Sequence, residues 1–225
     1  MNFIKKYWLG ICSVLAIAIS GFFLCANECS IKKHPELSKL LPVIENINEF
    51  SEKMNREMSE ASACLEGILM PENILNPEKL LESKKLLAIY ADKLNGFQKG
   101  YFEEINLTRS ELKKAFAENG KMKKHLLLGF EKSIKTTNEL MKEFFQVEKE
   151  SAQRIAAIIN FFSERNGLFW ESEGTLVFEN EEDLNIFNQL NQNFYDSCQK
   201  EELIVSKIEK HRQSAIEKLD QFRSP

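Results

Sequence analysis

The side chains best suited to chemistry are few and badly spaced for it. His34, His125 and His211 lie far apart with no second histidine at a ligand offset, so no zinc or di-iron site is expected. A ferritin-like bundle places Glu-x-x-His pairs on core faces, and Glu131, Glu143, Glu148 and Glu150 have no histidine three residues on. G-x-S-x-G, P-loop and dinucleotide-binding patterns are missing. Acidic pairs such as Glu103-Glu104 and Glu201-Glu202 read as solvated helix faces. Asn106-Leu107-Thr108 matches a glycosylation sequon, which matters only in a eukaryotic secretory pathway. No catalytic, metal-binding or cofactor-binding residue is assigned, and the chain reads as a non-enzyme without a cofactor.

The cysteines stand at positions 12, 25, 29, 64 and 198, with no C-x-x-C pair and no metal-like spacing. Cys64 and Cys198 fall on apolar helix faces of elements that could be neighbours. They are a candidate disulfide in an oxidising compartment, or else two small buried thiols. Cys25 is a candidate for lipidation, although Leu24 precedes it where the modifying peptidase wants a small residue, and Glu28 precedes Cys29.

Cys25 sits at the end of the stretch that sets the compartment. Behind Lys5 and Lys6, residues 7–26 carry no charge. As a helix these twenty residues would extend about 30 Å, the thickness of a bilayer's hydrocarbon core. The lysines place the rest of the chain on the outer side. A cleaved signal peptide has a shorter apolar core, so an uncleaved signal anchor explains the length better; cleavage after Ala26 and a lipid anchor are the other readings. Residues 27–38 are a polar tether.

Beyond residue 26 the net charge falls from −4 to −6, because two lysines and no acids are left behind. That balance argues against a nucleic-acid partner. Only Pro42, Pro71 and Pro77 lie between Lys39 and Ser224, which favours long helices. Four are expected. The first opens near Leu40 and carries Ile44, Ile47, Ser51, Met54, Met58, Ala61, Leu65 and Ile68 in alternating steps of three and four, up to Met70-Pro71. The second starts at Asn76-Pro77-Glu78, an N-cap followed by a first-turn proline and acid, and ends at Asn119-Gly120. Gly96 and Gly100 within it suggest a bend or a close helix contact. The third runs from about Lys121 to Asn166 with an apolar face too wide for one neighbour. The last begins at Asn180, which caps it, and carries Leu184, Phe187, Leu190, Phe194, Cys198, Val205 and Ile208, interrupted by Asn191, Glu201 and Arg212.

Between the third and fourth helices LFWESEGTLVF, residues 168–178, reads as a β-hairpin turning at Gly174. Leu168, Trp170, Leu176 and Phe178 are expected to share a face. Phe169, Trp170, Val177 and Phe178 exceed what a turn needs and form a candidate partner-docking tip, the alternative being a plug over the end of the helices. Lys121, Lys123, Lys124 and His125 form a second exposed feature, a basic cluster at a helix start that opposes the helix dipole.

The string Phe169-Trp170 through Gly174-Thr175-Leu176-Val177-Phe178, followed by an acidic stretch and Phe187-Asn188-Gln189-Leu190, resembles the corresponding stretch of enterobacterial lipoproteins of the DUF3053 family. The resemblance covers about twenty residues and implies a bacterial envelope setting, a membrane-targeting segment and a largely helical chain. It implies no activity. Lacking a small residue before Cys25, this chain departs from the family's lipid-attachment pattern.

The expected fold is all-α: an elongated antiparallel four-helix bundle or coiled coil over residues 39–225, with the hairpin between helices three and four. It follows the membrane segment 1–26 and the tether 27–38. The expected role is a non-enzymatic interaction or structural module of the bacterial envelope, held at the membrane by its N-terminal segment with a protein partner of unidentified kind. A small-molecule-binding or sensing bundle in the periplasm is the alternative.

Overall fold

The computed structural model describes residues 38–223, apart from positions 40, 66, 119, 166 and 174. The candidate membrane segment, most of the tether, and Cys12, Cys25 and Cys29 lie outside the described residues. The chain is mostly helical with one small antiparallel sheet. In order, its elements are α1 (Leu41–Ala63), α2 (Pro71–Ile74), α3 (Pro77–Ala115), α4 (Gly120–Glu164), β1 (Phe169–Ser172), β2 (Thr175–Phe178) and α5 (Glu181–Arg223). Among the described residues no helix is long and apolar enough to cross a membrane.

α1 buries Val43, Ile47, Ser51, Met54, Met58 and Ala61 along one stripe. Ser51 sits in that stripe because its hydroxyl donates to the Ile47 carbonyl at 2.7 Å, leaving no bare polar atom. The helix ends at Ala63, earlier than the apolar period suggests. Gly67 adopts φ +83°, a left-handed conformation open to glycine, and its carbonyl accepts from the Asn73 side chain at 2.8 Å. Leu65 and Ile68 are buried as expected, but from this turn and not from a helix. Pro71 then opens α2, a single helical turn.

α3 starts as its sequence demands. The Asn76 side chain accepts from the amides of Glu78 and Lys79 at 2.9 and 3.2 Å. At Gly100 a β-carbon would lie 3.9 Å from the Phe50 ring of α1, an ordinary van der Waals distance, so the helices do not need glycine there to approach. Gly96 has nothing within 4 Å.

α4 is the axis of the fold. It buries Phe130, Ile134, Met141, Phe144, Ile155, Ile158 and Phe162, and also Phe145, Ile159 and Phe161 on the flank. A face that wide needs two neighbours, and α4 has them in α3 and α5. Side-chain bonds show that successive long helices run antiparallel: Asn46 to Glu111 between α1 and α3, Tyr101 to Asn138 between α3 and α4, and Lys207 to Glu143 between α4 and α5. Leu184, expected in the α5 stripe, is exposed, while Phe187, Leu190 and Phe194 pack against the core.

This register gives the fold two poles. The start of α3, the end of α4, the hairpin and the start of α5 meet at one, while the start of α1 and the α3–α4 connection lie at the other. At 45 residues, α4 separates them by about 65 Å. Asn76→Ala should cost about 1 kcal/mol in urea denaturation, since two first-turn amides of α3 lose their acceptor; an unchanged midpoint would mean that the α2–α3 corner is held by packing alone.

Candidate functional site

The hairpin pole is built from phenylalanines. β1 and β2 pair with Phe169 opposite Phe178, Trp170 opposite Val177, Glu171 opposite Leu176 and Ser172 opposite Thr175. Side chains alternate across a strand, so this register puts Phe169 with Phe178 on one face and Trp170 with Val177 on the other. The expected face of Leu168, Trp170, Leu176 and Phe178 is therefore corrected: β1 is offset by one residue, which moves Trp170 outward. The positive φ of the turn is carried by Glu173, at +51°; Gly174 lies outside the described residues.

Phe169 and Phe178 meet Phe161 and Phe162 of α4 and Phe187 of α5. Ring centroids are 4.8 Å apart for Phe162–Phe169 and 5.3 Å for both Phe162–Phe187 and Phe178–Phe187. The guanidinium of Arg165 lies 4.4 Å from the Phe161 ring centre and donates to Asp183. Asp183 in turn gives its amide to the Asn180 side chain at 2.8 Å, so one polar chain ties the end of α4 to the start of α5. The Arg165 hydrogen bond, then that of Asn180, holds the Asp183 carboxyl below its ordinary range. Of the four candidate tip residues, Phe169 and Phe178 thus belong to the plug. Trp170 is 48% exposed, beside Leu168 at 39%.

A second constellation lies in the middle of the helices, where sequence reasoning placed nothing. Glu148 of α4 is buried, and the Tyr90 hydroxyl of α3 donates to its Oε2 at 2.5 Å. Its carboxyl also interacts with that of Glu201 on α5. Two carboxylates are both acceptors and repel each other when both are ionised. Oε1 of Glu148 is buried without a hydrogen-bond donor. Burial, then the charge of Glu201, pushes the Glu148 carboxyl well above its ordinary range. Glu201 is raised as well, chiefly by burial. Tyr90 is raised by burial and then by Glu148. Glu201 is not the solvated-face residue its sequence context suggests.

Cys198 faces the same pair. Burial, then Glu201 and Glu148, pushes its thiol up to about 11, so it is held protonated and is a poor nucleophile. Cys64 is exposed and donates to the Glu60 carbonyl at 3.3 Å. Both are free thiols, so the candidate Cys64–Cys198 disulfide is not made in this structure. Among the described residues no group of histidine, cysteine and carboxylate side chains is arranged to hold a metal ion.

An open groove of about 550 Å³ runs between α3 and α4 in the hairpin half of the molecule, floored by Ala88, Ala91, Ala152 and Ala156 with Lys84 and Lys149 on its walls. No protein-family model, curated protein or solved structure matches the chain.

Two predictions follow from the geometry. Phe169→Ala should lose about 3 kcal/mol in denaturant titration because it empties the aromatic cluster, whereas Trp170→Ala should stay within about 0.5 kcal/mol; equal losses would put Trp170 inside the plug. The second concerns Glu148, whose folded pKa is raised. Its contribution is fully present below the unfolded value of about 4.5 and is lost as pH rises through the folded value. Glu148→Gln keeps a donor for Glu201 and an acceptor for Tyr90, so its stability advantage over the wild type should grow from pH 4 to pH 8. Parallel stability curves for the two proteins would exclude a protonated Glu148.

Proposed function

We propose that the chain is a non-enzymatic, membrane-tethered helical bundle on the outer face of the bacterial inner membrane, acting as an interaction or structural module through its hairpin pole. The observation that carries this reading is the exposure of Trp170 beside Leu168 at the pole opposite the entry of residues 1–37. Isolated apolar residues on a surface are ordinary. A tryptophan held outward by a rigid aromatic plug is a preorganised anchor of the kind that dominates protein interfaces. The long antiparallel helices support a stalk, and the resemblance to the DUF3053 lipoproteins supports the envelope setting.

Intact mass with cell fractionation tests the tether. Full mass in the membrane fraction fits an uncleaved anchor; mass beginning after Ala26 in the soluble fraction removes it, and added lipid on Cys25 replaces it with a lipid anchor. Mild crosslinking in cells tests the pole: a captured partner should be lost with Trp170→Ala while helicity is retained, and capture indifferent to that change would assign the contact elsewhere.

The α3–α4 groove favours a second reading, a small-molecule-binding or sensing bundle of the periplasm. Its volume is within the range of ligand pockets, and its mostly apolar lining carries Lys84, Asn95, Lys149, Gln153 and Asn160 as polar groups. A thermal shift with envelope metabolites, abolished by Ala88→Trp, would move this reading ahead of the first.

A further inference from the structure

Charge is segregated along the long axis. At the pole away from the hairpin, the end of α3 and the start of α4 bring Lys113, Lys114, Lys123 and Lys124 together, and Lys39 stands just ahead of α1. Lys39, Lys113, Lys114 and Lys124 are exposed. Among the described residues Lys39, Lys114, Lys123 and Lys124 form no salt bridge, while Lys113 lies near enough to Glu131 to lower its carboxyl. Glu118 is the acid of the connection between α3 and α4, and Glu131 is engaged by Arg109. The hairpin pole is mainly acidic, with Glu171, Glu173, Glu179, Glu181 and Glu182 all exposed, although Lys79 and Lys85 at the start of α3 are exposed there too.

Part of the basic pole is disfavoured by local folding. Lys113 and Lys114 complement the C-terminal end of the α3 dipole, but Lys121, Lys123 and Lys124 lie at the positive end of α4. An external anion would relieve that repulsion. Chain connectivity says which anion is near. Residues 27–40 separate the apolar stretch 7–26 from Leu41, and fourteen residues reach about 20 Å as a flexible chain and about 50 Å when fully extended. Electrostatic attraction between exposed groups is screened beyond about 8 Å at physiological salt, so it needs such a short tether to act.

We infer that the pole formed by the α3–α4 connection and the start of α1 docks on anionic phospholipid headgroups. The inference rests on the membrane-tethered reading above. Lysines at this end meet the phosphates, the acidic hairpin end is repelled by them, and the long axis is turned away from the membrane with Trp170 at its far tip. The competing anionic surface is the hairpin pole of another copy stacked end to end.

The test uses the full chain in vesicles of phosphatidylcholine and in vesicles of equal parts phosphatidylcholine and phosphatidylglycerol. Hydrogen exchange across residues 113–124 should be severalfold slower in the anionic vesicles, with no change at residues 169–178. High salt should remove this protection from the wild type. So should the combined variant Lys113→Gln, Lys114→Gln, Lys123→Gln and Lys124→Gln, with helicity checked by circular dichroism. Equal exchange in the two vesicle types would overturn the docking. Protection that grows with protein density in phosphatidylcholine alone would overturn it in favour of end-to-end copies. Flotation separates the tether from the pole: salt-sensitive flotation with anionic vesicles alone would sink the tether and keep the docking, whereas flotation with both and no protection would do the reverse.

Discussion

The fold depends on the need to cover α4 on two sides. A helix that buries Phe144 and Ile158 on one stripe and Phe145, Ile159 and Phe161 on its flank cannot be satisfied by a single partner. Its position between α3 and α5 follows from that requirement, and short connections then make each neighbour antiparallel. α1 completes the cover of α3, with Phe50 set against Gly100.

Within this apolar interior the Tyr90–Glu148–Glu201 chain is the polar exception. Burial penalises an ionised carboxylate at Glu148 and the charge of Glu201 adds to the penalty, so this carboxyl is held well above its ordinary range. The Tyr90 hydroxyl donates to it and Glu201 interacts with it, which brings groups from three helices together at one level. Polar contacts of this kind are poor sources of stability and good sources of register, since sliding either helix would strand a buried oxygen. Cys198 shares this setting and is kept as a thiol by it.

The two poles divide the remaining work. At one, Phe169 and Phe178 close the end of the helices, and Arg165 bridges the Phe161 ring and Asp183. A two-stranded hairpin has little stability by itself, so its order comes from this packing, and the same packing holds Trp170 outward. At the other pole, lysines gather where the chain enters the fold.

Local rules made much of this legible in the sequence. The Asn76 and Asn180 caps, the extents of α3 and α4, the width of the α4 face and the position of the hairpin all follow from capping, periodicity and turn chemistry, which act over a few residues. The acid pair left only a trace: the apolar period of α4 skips from Phe144 to Ser151, and that of α5 breaks at Glu201 between Cys198 and Val205. Periodicity locates such gaps on a buried face but does not say that two of them meet. The end of α1 and the hairpin face were decided by the tertiary structure, because Gly67 turns the chain to lay Leu65 and Ile68 on the core, and because the phenylalanines of α4 and α5 select which face of the hairpin is inside. By itself the sequence determined the helices, their caps and an apolar N-terminal segment. Only the tertiary structure decided which acids meet in the interior and which tryptophan faces outward, since both depend on contacts between residues far apart in the chain.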